Sequence, residues 1–258
     1  MKKKHALQSV KNRLGSLKNE IIPTSVKNLN LGSKGEQISM TTVILFGATG
    51  KTGLALSKLI INNDMELFAA VRTERDRKHL ESLGANTFIA DALHPRQVLE
   101  SMRNVSERSI VISLVGGSSK GTGGRADYLG NKNIIEASVT SGLKRFIFVT
   151  SIGSGESRHE LPDVVKPFLG PIADEKTKAE NVLRETDLDF TIIRPGQLTN
   201  DKATGGGMLT EECILGIMTR EDLALMIMKC IRDDRTITKI YSVLDPSMKV
   251  DLSWISNK

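Results

Sequence analysis

The segment Gly47-Ala48-Thr49-Gly50-Lys51-Thr52-Gly53 constrains what this chain can fold into more than any other. It follows a continuous apolar run at residues 43–46 and precedes an amphipathic stretch that reaches Ile61. A buried strand entering a glycine turn and leaving as a helix is the start of a βαβ unit. In such a turn Gly47 permits the tight bend, Gly50 lets the backbone approach a pyrophosphate, and Gly53 lets helix pack on strand. The first turn of the helix, with Thr49, Lys51 and Thr52 beside it, offers unpaired N–H groups and the positive end of a dipole to phosphates. A glycine triplet alone arises by chance. Here the strand before it, the helix after it and a second strand ending about 20 residues on all coincide, which points to a dinucleotide site.

The rest of the chain keeps that rhythm. Apolar runs at 67–71, 88–90, 110–115, 145–149, 190–193 and 240–243 read as strands. Helical patterns near 75–83, from Pro95, over 126–141, 174–185 and 221–231 separate them. Strands apolar on both faces, each followed by a helix, predict an α/β fold with a doubly wound parallel sheet, the Rossmann arrangement. The expected organisation is a single domain over 41–258 with a basic extension over 1–40.

The extension explains the charge. The formal net charge of the chain is +6. Residues 1–40 carry Lys2, Lys3, Lys4, Lys11, Arg13, Lys18, Lys27 and Lys34 against Glu20 and Glu36, which is the whole surplus. The domain itself is neutral, and neither a nucleic-acid motif nor interleaved aromatics accompany the basic residues, so no nucleic-acid partner is expected. Leu7, Val10, Leu14, Leu17 and Ile21 fall at spacings of three and four, one face of a helix. Three functions suit residues 1–21: organelle targeting, lying on an anionic membrane surface, or docking to a protein partner. A disordered extension with an accidental stripe, or a start placed too early since Met40 directly precedes the first strand, fits equally. The expected location is cytoplasmic, or an organelle if 1–40 is a targeting segment. No stretch approaches the roughly 18 apolar residues of a membrane span. Two cysteines, Cys213 and Cys230, and four scattered histidines, His5, His79, His94 and His159, suit a reducing compartment and no metal site.

The end of the second strand sets the expected coenzyme. A site preferring the unphosphorylated coenzyme carries an acid there for the ribose hydroxyls. This chain has Val71-Arg72-Thr73-Glu74-Arg75 instead, so Arg72, assisted by Arg75 or Arg77, suits a 2′-phosphate, and NADP(H) is the expected cofactor. Asp91 and Ala92 follow the third strand. The Asp91 carboxylate suits either the adenine amine or the N-cap of the next helix. Val115-Gly116-Gly117-Ser118-Ser119 leaves the fourth strand at its carboxyl end, where open α/β sheets bind ligands, and Gly121 to Gly124 extends it as a loop.

Together these residues resemble the atypical short-chain dehydrogenase/reductases, the group with NmrA-like and biliverdin-IXβ or flavin-reductase-like members. The likeness spans nearly all of 41–258. It is carried by Phe46-Gly47-Ala48-Thr49-Gly50 with Thr52-Gly53, Val71-Arg72, Asp91, Val149-Thr150-Ser151, Glu175-Lys176-Thr177-Lys178-Ala179-Glu180 and Ile193-Arg194-Pro195-Gly196. The resemblance implies that Ser151 hydrogen-bonds the substrate or the nicotinamide amide, that Lys176 touches the nicotinamide ribose, and that Pro195 and Gly196 border the cofactor. Their plain structural alternatives are a strand-end turn for Ser151 and an exposed helical lysine for Lys176. Residues 152–171 and 197–212 are expected to roof the pocket, with His159 either a proton donor or solvated.

One departure from the family pattern bears on mechanism. Standard members use a tyrosine four residues before the lysine, and its lowered pKa lets it pass a proton to a carbonyl. Ile172 stands four before Lys176. Tyr128-Leu129-Gly130-Asn131-Lys132 matches the spacing but precedes the fifth strand, and reads as a chance match. Ordinary alcohol dehydrogenation and sugar epimerisation are therefore disfavoured. A reductase passing hydride from NADPH to a small conjugated acceptor of flavin, bilin or quinone type suits the chain, since such an acceptor can draw its proton from water. The alternative is a redox sensor or assembly protein that binds NADP(H) without turnover.

Overall fold

The computed structural model describes residues 40–103, 105–117 and 125–250. The Leu7–Ile21 stripe and the docking segment 1–21 lie outside the described residues, as do Ser118, Ser119 and the glycines of 121–124.

The doubly wound parallel sheet expected from the sequence is present. In chain order the elements are β1 (Thr42–Phe46), α1 (Lys51–Asn62), β2 (Glu66–Val71), α2 (Glu74–Glu81), β3 (Asn86–Ile89), α3 (Pro95–Ser101), β4 (Ile110–Ser113), α4 (Leu129–Thr140), β5 (Arg145–Val149), α5 (Lys166–Arg184), β6 (Asp189–Pro195), β7 (Gln197–Thr199), β8 (Met208–Thr210), β9 (Ile217–Thr219), α6 (Arg220–Arg232) and β10 (Lys239–Leu244). The main sheet runs β3-β2-β1-β4-β5-β6-β10-β8, and β7 pairs with β9 separately. Only β8 is antiparallel, at the edge beside β10.

The sequence of β1 shows why the sheet is covered twice. Val43 and Leu45 join a core with Leu56 and Ile60 of α1 and Leu223 and Ile227 of α6. Ile44 and Phe46, pointing the other way, join Val98 of α3, Ile134 and Ile135 of α4, and Ala179 and Leu183 of α5. Period-two alternation of side chains with both faces apolar demands a helical layer on each side.

Three boundaries differ from the sequence pattern. Helix α5 begins at Lys166, not near 174, and holds Pro171 inside it. That proline removes one N–H close to the helix start, and its exposed position leaves the orphaned carbonyl to water. Strand β4 ends at Ser113: the Leu114 N–H still donates to the Phe46 carbonyl (2.9 Å), but the Val115 carbonyl accepts from the Asn131 amide (3.2 Å). Part of the expected roof over 197–212 is sheet: Met208–Thr210 forms the eighth strand.

At the amino ends of the strands Arg145 acts as a clasp. Its guanidinium donates to the Asp189 carbonyl (2.7 Å), the Thr191 hydroxyl (2.7 Å), the Cys230 carbonyl (3.0 Å) and the Thr236 hydroxyl (3.0 Å). It thereby joins β5, β6 and the end of α6. Burial among these neutral acceptors pulls its pKa down. Among the described residues no helix is long and apolar enough to cross a membrane.

Candidate functional site

Parallel register brings the candidate residues to one edge of the sheet. Phe46 pairs with Ala70 on one side and Ser113 on the other, Ser113 with Phe148, and Val149 with Ile193. The residues that follow these partners are the glycine turn, Arg72, the 114–117 segment, Thr150-Ser151 and Pro195-Gly196. All leave the carboxyl ends of adjacent strands, where open α/β sheets bind ligands.

The glycine turn has three different reasons for its glycines. Gly47 sits at φ 88°, a conformation side chains rarely adopt, and a Cβ there would stand 3.0 Å from the Leu114 carbonyl carbon. A Cβ on Gly53 would overlap the Gly47 carbonyl oxygen and lie 2.8 Å from the Ala48 Cα, so the close approach of helix to turn requires glycine. Gly50 differs. Its backbone is extended, and a Cβ would meet only the Gly47 carbonyl oxygen at 3.4 Å, an ordinary contact. The fold itself therefore does not need glycine at 50. No side chain caps α1, whose first residues run from the exposed Lys51 through the half-buried Thr52 to the buried Gly53. A cradle left open at Gly50, facing uncapped N–H groups, fits a pyrophosphate.

Beyond β2, Arg72 and Arg75 are exposed and pair with no carboxylate among the described residues. Arg77 is engaged along α2 with Glu81 (2.9 Å) and Glu74 (3.7 Å), so it does not join them. Thr73 caps α2, its hydroxyl accepting the Asp76 N–H at 3.1 Å. The N-cap alternative for Asp91 is corrected: His94 occupies that position on α3. Asp91 instead closes a local turn, its Oδ1 accepting the Leu93 N–H (2.9 Å) while its own N–H donates to Gln97 (2.9 Å). The buried Ala92 is tied to α4 through its carbonyl, which accepts from the Asn133 amide at 2.8 Å.

The exit of β4 is built around two residues the sequence reading did not single out, Asn131 and Asp127. The Asn131 amide accepts from the Ser113 hydroxyl (2.6 Å) and donates to the carbonyls of Val115 (3.2 Å) and Asp127 (2.9 Å). Asp127 is 1% exposed. Its Oδ2 accepts from the Gly117 N–H at 2.9 Å and pairs with Arg125 at 2.8 Å, while its Oδ1 stands 3.6 Å from Lys176 Nζ. Lys176 is 9% exposed, so it is not a surface helical lysine. Burial pulls its pKa below the usual lysine range, against the opposing pull of Asp127. A polar residue in the approach to a helix carries no sequence mark of such burial, which is why Asp127 was missed.

The remaining candidates separate. Ser151 is half-buried, with its hydroxyl 3.4 Å from that of Ser154, and its carbonyl accepts the Ser154 N–H in the strand-end turn. Pro195 is the last residue of β6, and a Cβ on Gly196 would overlap the Gly216 carbonyl oxygen. Tyr128 and Lys132 do not form a dyad: Lys132 pairs with Glu136 at 3.5 Å, and the Tyr128 ring lies 5.8 Å from Lys178 Nζ. His159 is exposed, 3.4 Å from the Glu160 carboxylate. Among the described residues no cluster of histidine, cysteine and acid is placed to hold a metal.

Glu180 and Arg194, which carried part of the family resemblance, form a buried ion pair beneath this edge. Arg194 Nη2 reaches Glu180 (2.5 Å) and Glu156 (2.8 Å), Glu180 accepts from the Thr150 hydroxyl (2.6 Å), and Arg184 holds the other oxygen of Glu156 (2.5 Å). The Arg194 hydrogen bond, with help from Arg184, holds the Glu156 pKa down to about 2 from an ordinary 4.5. A carboxylate depressed on folding contributes stability that is complete above about 4.5 and fades as pH falls toward 2. Acid titration of the unfolding midpoint is expected to show that loss in the wild type, and a smaller one in Glu156→Gln.

Residues 47–234 match the NAD(P)H-binding family. Among curated relatives, an uncharacterised sugar epimerase, YhfK, of Bacillus subtilis is 28% identical over 207 residues, 79% of this chain and 94% of its own length. Sanguinarine reductase of Eschscholzia californica is 29% identical over 64% of this chain and 71% of the relative. Among solved structures, the anaerobilin reductase ChuY of Escherichia coli O157:H7 superimposes with a TM-score of 0.75 at 30% identity, covering 82% of this chain and 100% of that one. The resemblance to atypical short-chain dehydrogenase/reductases and the nicotinamide-coenzyme fold are thus borne out, and the chain belongs to the NAD(P)H-binding family.

Proposed function

We propose that the chain is an NADPH-dependent reductase that delivers hydride to a small conjugated acceptor of flavin, bilin or quinone type. The observation that carries it is the open Gly50 cradle at the uncapped start of α1, level with two arginines that pair with no carboxylate among the described residues. In this reading Gly47, Thr49, Gly50, Lys51, Thr52 and Gly53 hold the pyrophosphate, Arg72 and Arg75 the 2′-phosphate, and Asp91 with Ala92 the adenine. Val115, Gly116, Gly117, Pro195 and Gly196 border the nicotinamide half, and Ser151 and Lys176 meet the reacting end. The bound coenzyme supplies the hydride; the chain positions it and manages one proton. Two of the relatives above are named as reductases, of anaerobilin and of sanguinarine, which supports reduction over the epimerisation named for the third. The residue four before Lys176 is Ile172, which removes the acid that alcohol dehydrogenation and epimerisation need.

Incubation with NADPH and a panel of flavins, quinones and bilins, followed at the nicotinamide absorbance, tests the activity. Steady oxidation supports it. Tight NADPH binding with no acceptor reduced favours the sensor reading instead. Arg72→Ala is expected to weaken NADPH by about 10- to 150-fold, from the roughly 1.5–3 kcal/mol of a charge-assisted hydrogen bond. NADH binding should be almost unchanged; equal losses for the two coenzymes would refute the 2′-phosphate role.

A further inference from the structure

The Asp127 carboxylate is almost sealed at this edge, and its two oxygens are treated unequally. Oδ2 is satisfied by the Gly117 N–H and by Arg125. Among the described residues Oδ1 is buried with no hydrogen-bond partner, and Lys176 Nζ stands 3.6 Å from it, close enough for an ion pair and too far for a hydrogen bond. A buried carboxylate oxygen left in this way is costly unless something uses it. The gap it shares with Nζ is walled by the Gly116 backbone, where a Cβ would come within 3.2 Å of Oδ1 and 3.8 Å of Nζ. A side chain at 116 would therefore press on the carboxylate and touch the lysine. Asp127 also holds the Gly117 N–H, so one carboxylate fixes both the lysine and the wall it stands against.

We infer that Asp127 is a positioning residue for the reduction, its unpartnered Oδ1 holding the Lys176 ammonium at the pocket wall as the proton donor that takes the place of the missing tyrosine. This rests on the reductase reading. As the acceptor gains the coenzyme's hydride at one atom, a Lys176 N–H bond breaks and its proton goes to the acceptor heteroatom that receives the electron pair. The acceptor is reduced by two electrons, the coenzyme is oxidised, and the neutral amine recovers its proton from water. The charged groups facing Lys176 are Asp127 and Glu180, which favour the ammonium, and Arg125, which opposes it along with burial. A lysine whose charge is this finely balanced can give up a proton nearer neutrality than a surface lysine can.

Nitrogen-detected NMR of the lysine side chains, with the Lys176 signal identified by its loss in Lys176→Arg, reads the pair directly and needs no substrate. Asp127→Asn is expected to move the Lys176 midpoint down by about one pH unit or more. The alkaline limb of kcat should move with it while KM for NADPH holds, and Asp127→Glu should restore most of both. An unmoved midpoint, or a rate that drops equally at every pH, overturns the role. If Asp127→Asn does not fold, the wild-type titration carries the test, since an alkaline limb of kcat that does not coincide with the Lys176 midpoint overturns the role. Should the wild type oxidise NADPH with no acceptor, the reductase reading fails on that assay, while the lysine titration still decides whether Asp127 governs Lys176.

Discussion

Arg194→Ala is expected to lower the free energy of unfolding by about 3–5 kcal/mol, because it leaves the Glu180 carboxylate buried without its partner. Both side chains are almost sealed, Arg194 at 2% and Glu180 at 1% exposure. Thr150 donates to Glu180 but brings no compensating charge. The pair also fixes Gly155, which sits at φ 50° and where a Cβ would overlap the Arg194 guanidinium. Removing both charges together, as Arg194→Met with Glu180→Leu, should recover much of the loss, since well-packed apolar residues often replace a buried pair at little cost. Urea unfolding of Arg194→Ala and of the double variant measures this. A loss under about 1 kcal/mol in Arg194→Ala would show a pair far more hydrated than its burial implies.

The second large effect separates two glycines that look alike in sequence. Gly53→Ala places a Cβ into backbone atoms of Gly47 and Ala48, and should cost about 1–3 kcal/mol of stability together with coenzyme binding. Gly50→Ala meets only one ordinary contact, so its melting behaviour should stay near wild type, within about 0.5 kcal/mol. Its methyl group nevertheless lies where a pyrophosphate must approach. Losing one or more charge-assisted contacts there is expected to weaken NADPH by about 10- to 150-fold. Calorimetric titration beside a thermal melt distinguishes the two. A Gly50→Ala protein that binds NADPH as tightly as wild type would remove the glycine turn from the coenzyme site.

The sheet was legible because its strands are nearly continuous apolar runs. Residues 43–46 and 145–149 needed only hydrophobicity and the glycines that follow. Helix α5 was less so: its pattern was read from 174, yet it begins at Lys166, with Pro167 in the first turn, where a missing N–H is tolerated, and Pro171 inside it. The strand Met208–Thr210 has three residues, too few for alternation to register, and exists because β10 offers it an edge. At the site, local signals pointed to the turn and Arg72, since the role expected of each is read from neighbours in the chain. Asp127 and the burial of Lys176 depend on residues 49 positions apart in the sequence. No local pattern encodes that meeting. The same holds for Glu180 and Arg194, which family likeness marked and which the structure shows to be an internal support.

The Arg145 clasp has a consequence for how this scaffold can diverge. It knots β5, β6 and α6 together at the end of the sheet opposite the glycine turn, using backbone carbonyls and two threonine hydroxyls. The foundation is thus fastened at a distance from the segments that would choose an acceptor. Substitutions that reshape the acceptor side can accumulate without loosening that knot, so new chemistries can be tried on an unaltered footing.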